Sequence, residues 1–91
     1  MKTVKVRIEG RVQGVWFRRW TQDEARSFGL NGWVRNRRDG SVEALLSGTE
    51  AAVARMIELC WQGPPAANVT EITETEADPP ERSGFHVLDT A

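Results

Sequence analysis

The order of two hydrophobic periodicities constrains the fold of this chain more than any other feature of its sequence. Apolar residues that alternate with polar ones are typical of half-buried strands, whereas apolar residues three or four positions apart are typical of amphipathic helices. Along the 91 residues these patterns follow one another as strand, helix, strand, strand, helix and strand. A chain of this length corresponds to one domain, which we expect to span residues 1–91.

Alternation and turn residues locate the strands. Val4, Val6 and Ile8 alternate with charged residues, and Asp39-Gly40 is a hairpin signal. We predict strands at Thr3–Glu9, Leu30–Asn36, Val42 to Gly48, Val69–Glu76 and Gly84–Leu88, the last with Phe85 and Val87 directed inward. In the fourth of these, Val69 and Ile72 are three positions apart, which indicates either a β-bulge or a late start.

Two amphipathic stretches predict helices. The first runs from about Phe17 to Phe28, with Thr21 and Ala25 on the same face, and Gly29 stands where a left-handed C-terminal cap belongs. The second begins after Thr49, a good N-cap residue, and ends at Gly63-Pro64-Pro65. Cys60 lies on the apolar stripe of this second helix, so we interpret it as a core residue and not as a nucleophile.

Two strand–helix–strand halves over one sheet predict a ferredoxin-like β-α-β-β-α-β sandwich of the α+β class. Its two helices pack on one face of an antiparallel sheet, and the short terminal strand is either appended or continues the fourth. In this topology the first two strands are parallel and the third lies between them. The C-terminal ends of the first two strands therefore lie about 10 Å apart at the same end of the sheet, which is the edge formed by the strand ends.

The loop Gly10–Arg18, called the cradle loop below, joins the first strand to the first helix. Gly10 and Gly14 permit sharp turns, and a loop that leads into a helix start directs several backbone N–H groups toward one point. Arg18 adds a planar cation suited to an oxyanion. The alternative is a plain connection with a solvated Arg18. Asn36, at the end of the second strand, is expected at the same edge of the sheet, so both elements converge on one small ligand.

Charge is distributed unevenly along the chain. The net charge is −1, but residues 1–40 carry +6 and residues 41–91 carry −7. This favours a small anionic ligand over a long polyanion, and no nucleic-acid partner is expected. No apolar run approaches the roughly 18 residues of a membrane span, and the N-terminal residues do not resemble a signal peptide. A single cysteine excludes a disulfide framework and suits the cytoplasm.

Several other residues have two possible interpretations. His86 is the only histidine and has no evident partner, so we favour a strand residue over an acid–base catalyst. The acidic residues between Glu71 and Asp78 are interpreted as solvent-facing, with no metal site expected. For Trp16 and Trp33, contact with a substrate and plain packing both remain open. The basic residues Arg35, Arg37 and Arg38 are either solvated or steer anions.

Two segments carry a resemblance to a known family. Gly10-Arg11-Val12-Gln13-Gly14-Val15-Trp16-Phe17-Arg18 and Gly32-Trp33-Val34-Arg35-Asn36-Arg37-Arg38-Asp39-Gly40-Ser41-Val42-Glu43 resemble the signature segments of the acylphosphatases, and Gly63-Pro64-Pro65-Ala66 resembles that family's usual stop after the second helix. The resemblance implies a ferredoxin-like fold and hydrolysis of carboxyl-phosphate anhydrides. It also implies that Arg18 binds phosphate, that Asn36 positions water, and that no metal or organic cofactor is needed.

The expected enzyme takes a small acyl phosphate as its partner and acts as a monomer without nucleic acid or membrane. Catalysis is assigned to Arg18 and Asn36, and the substrate-binding residues are Gln13, Gly14, Val15, Trp16 and Phe17. The alternative is a non-catalytic module that binds phosphate or an RNA backbone. The first and third strands carry no aromatic residue, which weakens the RNA interpretation. A third possibility is a domain of a larger enzyme, but we expect an independent protein.

Overall fold

The computed structural model describes residues 1–91, which form two helices and five strands. The elements in chain order are β1 (Lys2–Arg11), α1 (Phe17–Ser27), β2 (Asn31–Asn36), β3 (Val42–Gly48), α2 (Glu50–Gln62), β4 (Asn68–Glu76) and β5 (Phe85–Val87). All five strands belong to one sheet, whose spatial order is β4-β1-β3-β2-β5. The predicted ferredoxin-like order of strands and helices is confirmed.

The central strands place the start of α1 and the end of β2 at one edge of the sheet. β1 and β2 are each antiparallel to β3, which lies between them, so β1 and β2 run in the same direction. β5 is appended beside β2 and runs parallel to it, so the sheet is mixed and not purely antiparallel. The terminal strand therefore does not continue β4, because β4 and β5 are the two outer strands on opposite sides of the sheet.

The core lies between the helices and one face of the sheet. α1 packs over β2 and β5, and α2 packs over β1 and β4. The predicted inward residues of β1, Val4, Val6 and Ile8, are all buried, as is Cys60 on α2. Burial in this apolar layer raises the pKa of the Cys60 thiol to about 12, which keeps it protonated and unreactive near neutral pH.

The irregular pattern of β4 is a β-bulge. Glu9 pairs with Glu71, but Gly10 pairs with Val69, so Thr70 is left without a partner on β1. The extra residue lets Val69 and Ile72 both pack against the core, although they are three positions apart. Gly10 has a φ of 121°, and a Cβ at this position would overlap the Asn68 carbonyl oxygen.

Val87 is on the predicted inward face of β5 but is not buried. Phe85 is fully buried under α1, but Val87 is 40% exposed. β5 contributes only three residues at the edge of the sheet, and its last residue lies beside the first turn of α1, where a cavity and not helix packing faces it. Strand alternation places Val87 on the same face as Phe85, but tertiary packing decides how far the cover of α1 extends.

The Asp39 carboxylate makes hydrogen bonds and an ion pair in the hairpin between β2 and β3. It accepts hydrogen bonds from the Ser41 backbone N–H at 2.9 Å and the Ser41 hydroxyl at 2.6 Å, and it forms an ion pair with Arg7 at 2.7 Å. These hydrogen bonds, followed by the charge of Arg7, lower the pKa of Asp39 from 3.8 to about 2. The lowered pKa means that the stability contributed by this carboxylate is present above about pH 4 and is lost as pH falls toward about 2.

We therefore expect the free energy of unfolding of the wild type to exceed that of Asp39→Asn near neutral pH. The difference should shrink as pH is lowered through about 4 toward about 2. Protonation then removes the negative charge of Asp39, and asparagine carries no such charge at any pH. Urea unfolding of both proteins across this range measures the difference. A difference that does not change with pH would contradict the role of the Asp39 charge.

Candidate active site

The strand registers bring Asn36 level with the end of the ladder between β1 and β3. Val42 of β3 pairs with Ile8 of β1 on one side and with Asn36 of β2 on the other. Two strand spacings, about 10 Å, therefore separate the backbones of Ile8 and Asn36. The cradle loop begins at Gly10, just beyond this level, so it and Asn36 occupy the same edge of the sheet, as predicted from the topology.

The cradle loop presents unpaired backbone donors. The N–H groups of Gln13, Gly14, Val15 and Trp16 donate no backbone hydrogen bond within the protein, and the first bond of α1 runs from the Trp20 N–H to the Trp16 carbonyl at 3.0 Å. The first-turn amides of a helix have no intrahelical acceptor, and the helix dipole makes that end electropositive. The loop and the helix start therefore form a continuous run of donors suited to an anion.

Two residues give the loop its shape through left-handed backbone conformations. Gly14 has a φ of 74° and open space around its Cα, so no side chain blocks approach to its backbone. Trp16 is the only residue other than glycine with a positive φ, at 66°, and it is the N-cap of α1. Its side chain forms no capping hydrogen bond and is 83% exposed. Such conformations in bulky residues are unfavourable and cluster at functional sites.

Arg18 has no ionic partner in the protein. The ion pairs involve other cations, and each of them places a carboxylate within 4 Å of Lys5, Arg7, Arg19, Arg35, Arg37 or Arg55. Arg18 is the second residue of α1 and is only half-buried. Its guanidinium is thus available to an external anion next to the unpaired amides, whereas the neighbouring Arg19 is bonded to Asp23 at 3.3 Å.

The side chain of Gln13 makes a contact that the sequence did not predict. Its carboxamide nitrogen donates to the Arg37 carbonyl at 2.7 Å and to the Ser41 carbonyl at 2.9 Å. Both acceptors belong to the hairpin that immediately follows Asn36. Gln13 therefore fastens the cradle loop to the end of β2, and only its backbone N–H remains for a ligand. The residue type alone gave no signal for this link, which spans 24 and 28 positions.

Asn36 ends β2 with its side chain on the helix-facing side of the sheet. Alternation along the strand places Asn36 on the same face as Val34, which is fully buried in the core. The Asn36 backbone carbonyl accepts a hydrogen bond from the Ala91 N–H at 3.0 Å, which holds the strand end in place. The side chain is half-buried, so its carboxamide is accessible at the edge where α1 begins.

A cavity of about 520 Å³ lies at the start of α1. It is lined by Gly14, Trp16, Phe17, Arg18, Arg19 and Val87. The structure thus brings together four of the predicted site residues, whereas Gln13, Val15 and Asn36 are not among the lining residues. Val15 is buried in the core, so it can offer a ligand only its backbone. Sequence reasoning missed Arg19 and Val87, and the only signal for Val87 was its place at the end of the last strand.

The remaining candidate residues lie away from this cavity. Trp33 is on the opposite face of β2, with the Arg35 guanidinium 4.7 Å from the centre of its ring. Arg35 and Arg37 both contact the Glu43 carboxylate, at 2.8 and 3.5 Å. The imidazole of His86 is hydrogen-bonded to the Ser83 carbonyl at 2.8 Å in the adjacent turn. No group of three His, Cys, Asp or Glu side chains is arranged to hold a metal ion, and neither helix is long and apolar enough to span a bilayer.

The link made by Gln13 leads to a prediction. Gln13→Ala is expected to lower the free energy of unfolding by about 1–3 kcal/mol, because two hydrogen bonds are lost. The rate of substrate turnover should also fall, by about tenfold, because the cradle loop is no longer held against the hairpin beside Asn36. Urea unfolding and steady-state kinetics measure both effects.

Two further variants separate this link from a general loss of packing. Gln13→Glu preserves the size of the side chain but removes its N–H donors, so it should share the defect of Gln13→Ala. Gln22→Ala removes a longer bond, 3.3 Å, from α1 to the Phe85 carbonyl and should leave turnover within about threefold of the wild type. Normal turnover in Gln13→Glu would refute the positioning role.

Comparison with known proteins is consistent with this geometry. The family model of the acylphosphatases matches residues 4–87. The chain is 54% identical over 85 residues to an acylphosphatase of Rhodospirillum rubrum, with 93% of each chain covered, and 53% identical over 83 residues to one of Rhizobium meliloti, with 90% of this chain and 87% of that one covered.

A solved structure extends the similarity to three dimensions. The crystal structure of an acylphosphatase from Bacillus subtilis matches with a TM-score of 0.91 at 40% sequence identity, covering 97% of this chain and 99% of that one. The similarity therefore covers nearly the whole length of each protein, including the cradle loop and both strands that lead into the site. From the family match, the sequence identity and the shared fold, the chain belongs to the acylphosphatase family.

Proposed function

We propose that this acylphosphatase hydrolyses the carboxyl-phosphate anhydride of small acyl phosphates, with Arg18 and the cradle loop holding the phosphoryl group and Asn36 positioning water. One observation carries the proposal: a run of unpaired backbone N–H groups and an unpaired guanidinium lie at the same sheet edge as the Asn36 carboxamide. The products are a carboxylate and inorganic phosphate.

The chemistry requires positioning and charge stabilisation more than covalent help. The carboxylate is a good leaving group, and the transferred phosphoryl group spreads negative charge over its oxygens as the bond to the leaving oxygen breaks. Arg18 donates a bidentate pair to two phosphoryl oxygens, and the N–H groups of residues 13 to 18 hold the rest. These donors are preorganised, because the loop is fastened by Gln13 and by the start of α1.

Asn36 acts as a positioning group and not as a base, because a carboxamide does not titrate near neutral pH. Its oxygen accepts a hydrogen bond from the attacking water and directs a water lone pair toward phosphorus. A new P–O bond forms as the P–O bond to the carboxylate breaks. The water proton passes to a phosphoryl oxygen or to solvent, and the electron pair of the broken bond leaves with the carboxylate.

We also propose the extent of the active unit, its oligomeric state and its location in the cell. Residues 1–91 act as one unit, because one core joins both helices to the sheet. All of the proposed site residues come from a single chain, so we propose a monomer. The cytoplasm is the proposed location, because the protein's one cysteine is a buried free thiol, which suits a reducing compartment.

The direct test is incubation with acetyl phosphate in the presence of a chelator. We expect loss of the anhydride with release of one phosphate per acetate, and no hydrolysis of p-nitrophenyl phosphate, whose leaving group is poorer. In ¹⁸O-labelled water the label should enter phosphate and not acetate, because water attacks phosphorus. Anhydride loss no faster than in buffer would overturn the proposed function, and label in acetate would overturn the assigned roles.

A further inference from the structure

Trp16 has an unfavourable backbone conformation and an exposed side chain. Its backbone is left-handed, with a φ of 66° and a ψ of 24°, a conformation better suited to glycine or asparagine. Its side chain forms no capping bond with α1 and is 83% exposed, so the ring contributes little to the core. A large aromatic ring held in this way indicates a function at the surface of the site.

The ring is part of an apolar wall beside the proposed phosphate site. Trp16, Phe17 and Val87 provide the three hydrophobic side chains of the cavity of about 520 Å³, and Gly14 and Arg18 line the same cavity. Val87 is 40% exposed, so its side chain is open to a ligand. The apolar wall and the groups proposed to bind phosphate thus share one cavity.

The shape of an acyl phosphate matches this division. Only the bridging oxygen and the carbonyl carbon separate its phosphorus atom from the substituent of the acyl group. When Arg18 and the Gly14 amide hold the phosphoryl group, the acyl group lies within a few ångströms of them, at the same cavity. The cavity volume of about 520 Å³ is far larger than an acetyl group requires and falls within the usual range for organic ligands, about 300–1,000 Å³.

We propose that Trp16 and Val87 form an acyl-group subsite and that these two side chains set how strongly this chain favours a large apolar acyl group over a small one. This inference rests on the proposed function, because it takes Arg18 as the phosphate ligand. The Trp16 ring stacks on the acyl group, and Val87 contacts its opposite edge. Arg19, on the rim, is bonded to Asp23 at 3.3 Å, so its charge is already partly compensated.

The experiment compares benzoyl phosphate with acetyl phosphate. The wild type should have the higher kcat/KM for benzoyl phosphate. Trp16→Asn removes the ring and introduces a residue that tolerates the left-handed backbone. The benzoyl-to-acetyl ratio of kcat/KM should then fall about tenfold. Val87→Thr keeps the shape of the side chain but makes it polar, and the ratio should fall about threefold. The ratio cancels any general effect of either substitution on folding or loop mobility.

A matched control and a binding measurement complete the design. Trp61 is another exposed tryptophan, on α2 and outside the cavity, so Trp61→Asn should leave the ratio unchanged. Calorimetry with benzoylphosphonate and acetylphosphonate, which lack the hydrolysable bond, measures the same preference without turnover. An unchanged ratio in Trp16→Asn, with acetyl phosphate still hydrolysed, would refute the subsite and leave the proposed function intact. Tighter, Trp16-dependent binding of benzoylphosphonate without any hydrolysis would support the subsite and refute the proposed function.

Discussion

Replacing Arg18 with glutamine is expected to lower kcat/KM for acetyl phosphate by about 10³-fold, which corresponds to about 4 kcal/mol of transition-state stabilisation. Arg18 forms no ion pair in the protein, so its guanidinium is available for two phosphoryl oxygens. Glutamine can donate from one nitrogen only and carries no charge. The negative charge that develops on the phosphoryl oxygens would then be held by backbone amides alone.

Substrate binding and turnover should both be lost in Arg18→Gln, because the same charge is needed before and during the reaction. Competitive inhibition by inorganic phosphate measures the binding part separately. Arg18→Lys retains the charge without the bidentate fork, so its kcat/KM should lie between those of the wild type and Arg18→Gln. Arg55→Gln removes an equivalent charge from the exposed face of α2, where Arg55 lies 3.9 Å from Glu58, and is the matched control. Near-normal inhibition by phosphate in Arg18→Gln would disprove the assigned role of Arg18.

Asn36→Ala is expected to lower kcat by about 10²- to 10³-fold while the inhibition constant for inorganic phosphate changes by less than about threefold. The carboxamide is proposed to hold water and not phosphate, so its removal should affect the chemical step. The backbone bonds of Asn36 to β3 and to Ala91 do not involve the side chain, so the strand end should persist. Steady-state kinetics with phosphate as inhibitor measure both quantities.

Asn31→Ala is the matched control for this experiment. Asn31 is at the opposite end of the same strand, where its side-chain oxygen accepts a hydrogen bond from the Gly84 N–H at 2.8 Å. Its loss should affect stability and leave kcat within about threefold of the wild type. Equal losses of turnover and phosphate binding in Asn36→Ala would argue against water positioning and for a direct phosphate contact.

Much of the fold was predictable because its determinants are local. The alternation of Val4, Val6 and Ile8 and the helical spacing of Phe17, Thr21 and Ala25 each describe one face of one element, and all six residues are buried. The three-residue spacing of Val69 and Ile72 indicated either a bulge or a late start of β4, and the structure has the bulge. Glycine-rich turns and periodic apolar residues are read from a few neighbouring positions, so they survive in the sequence as recognisable patterns.

The candidate site was predictable only in part. The topology of the three central strands implied that the cradle loop and Asn36 share an edge, and the register through Val42 agrees with it. The left-handed backbone of Trp16 and the exposure of Val87 were not predicted. Both depend on where α1 begins and how far it covers β5, and no local pattern encodes the extent of a packing contact.

The sequence by itself determined the order of elements, the face that each buries, the glycine turns of the cradle loop and the placement of Arg18 at a helix start. These features follow from side-chain periodicity and backbone preference within short segments. Only the tertiary structure decided that the Gln13 carboxamide fastens the loop to the hairpin, that β5 joins β2 in parallel, and that Val87 meets Trp16 at one cavity. These features join residues far apart in the chain, and their geometry exists only once the sheet and helices have packed together.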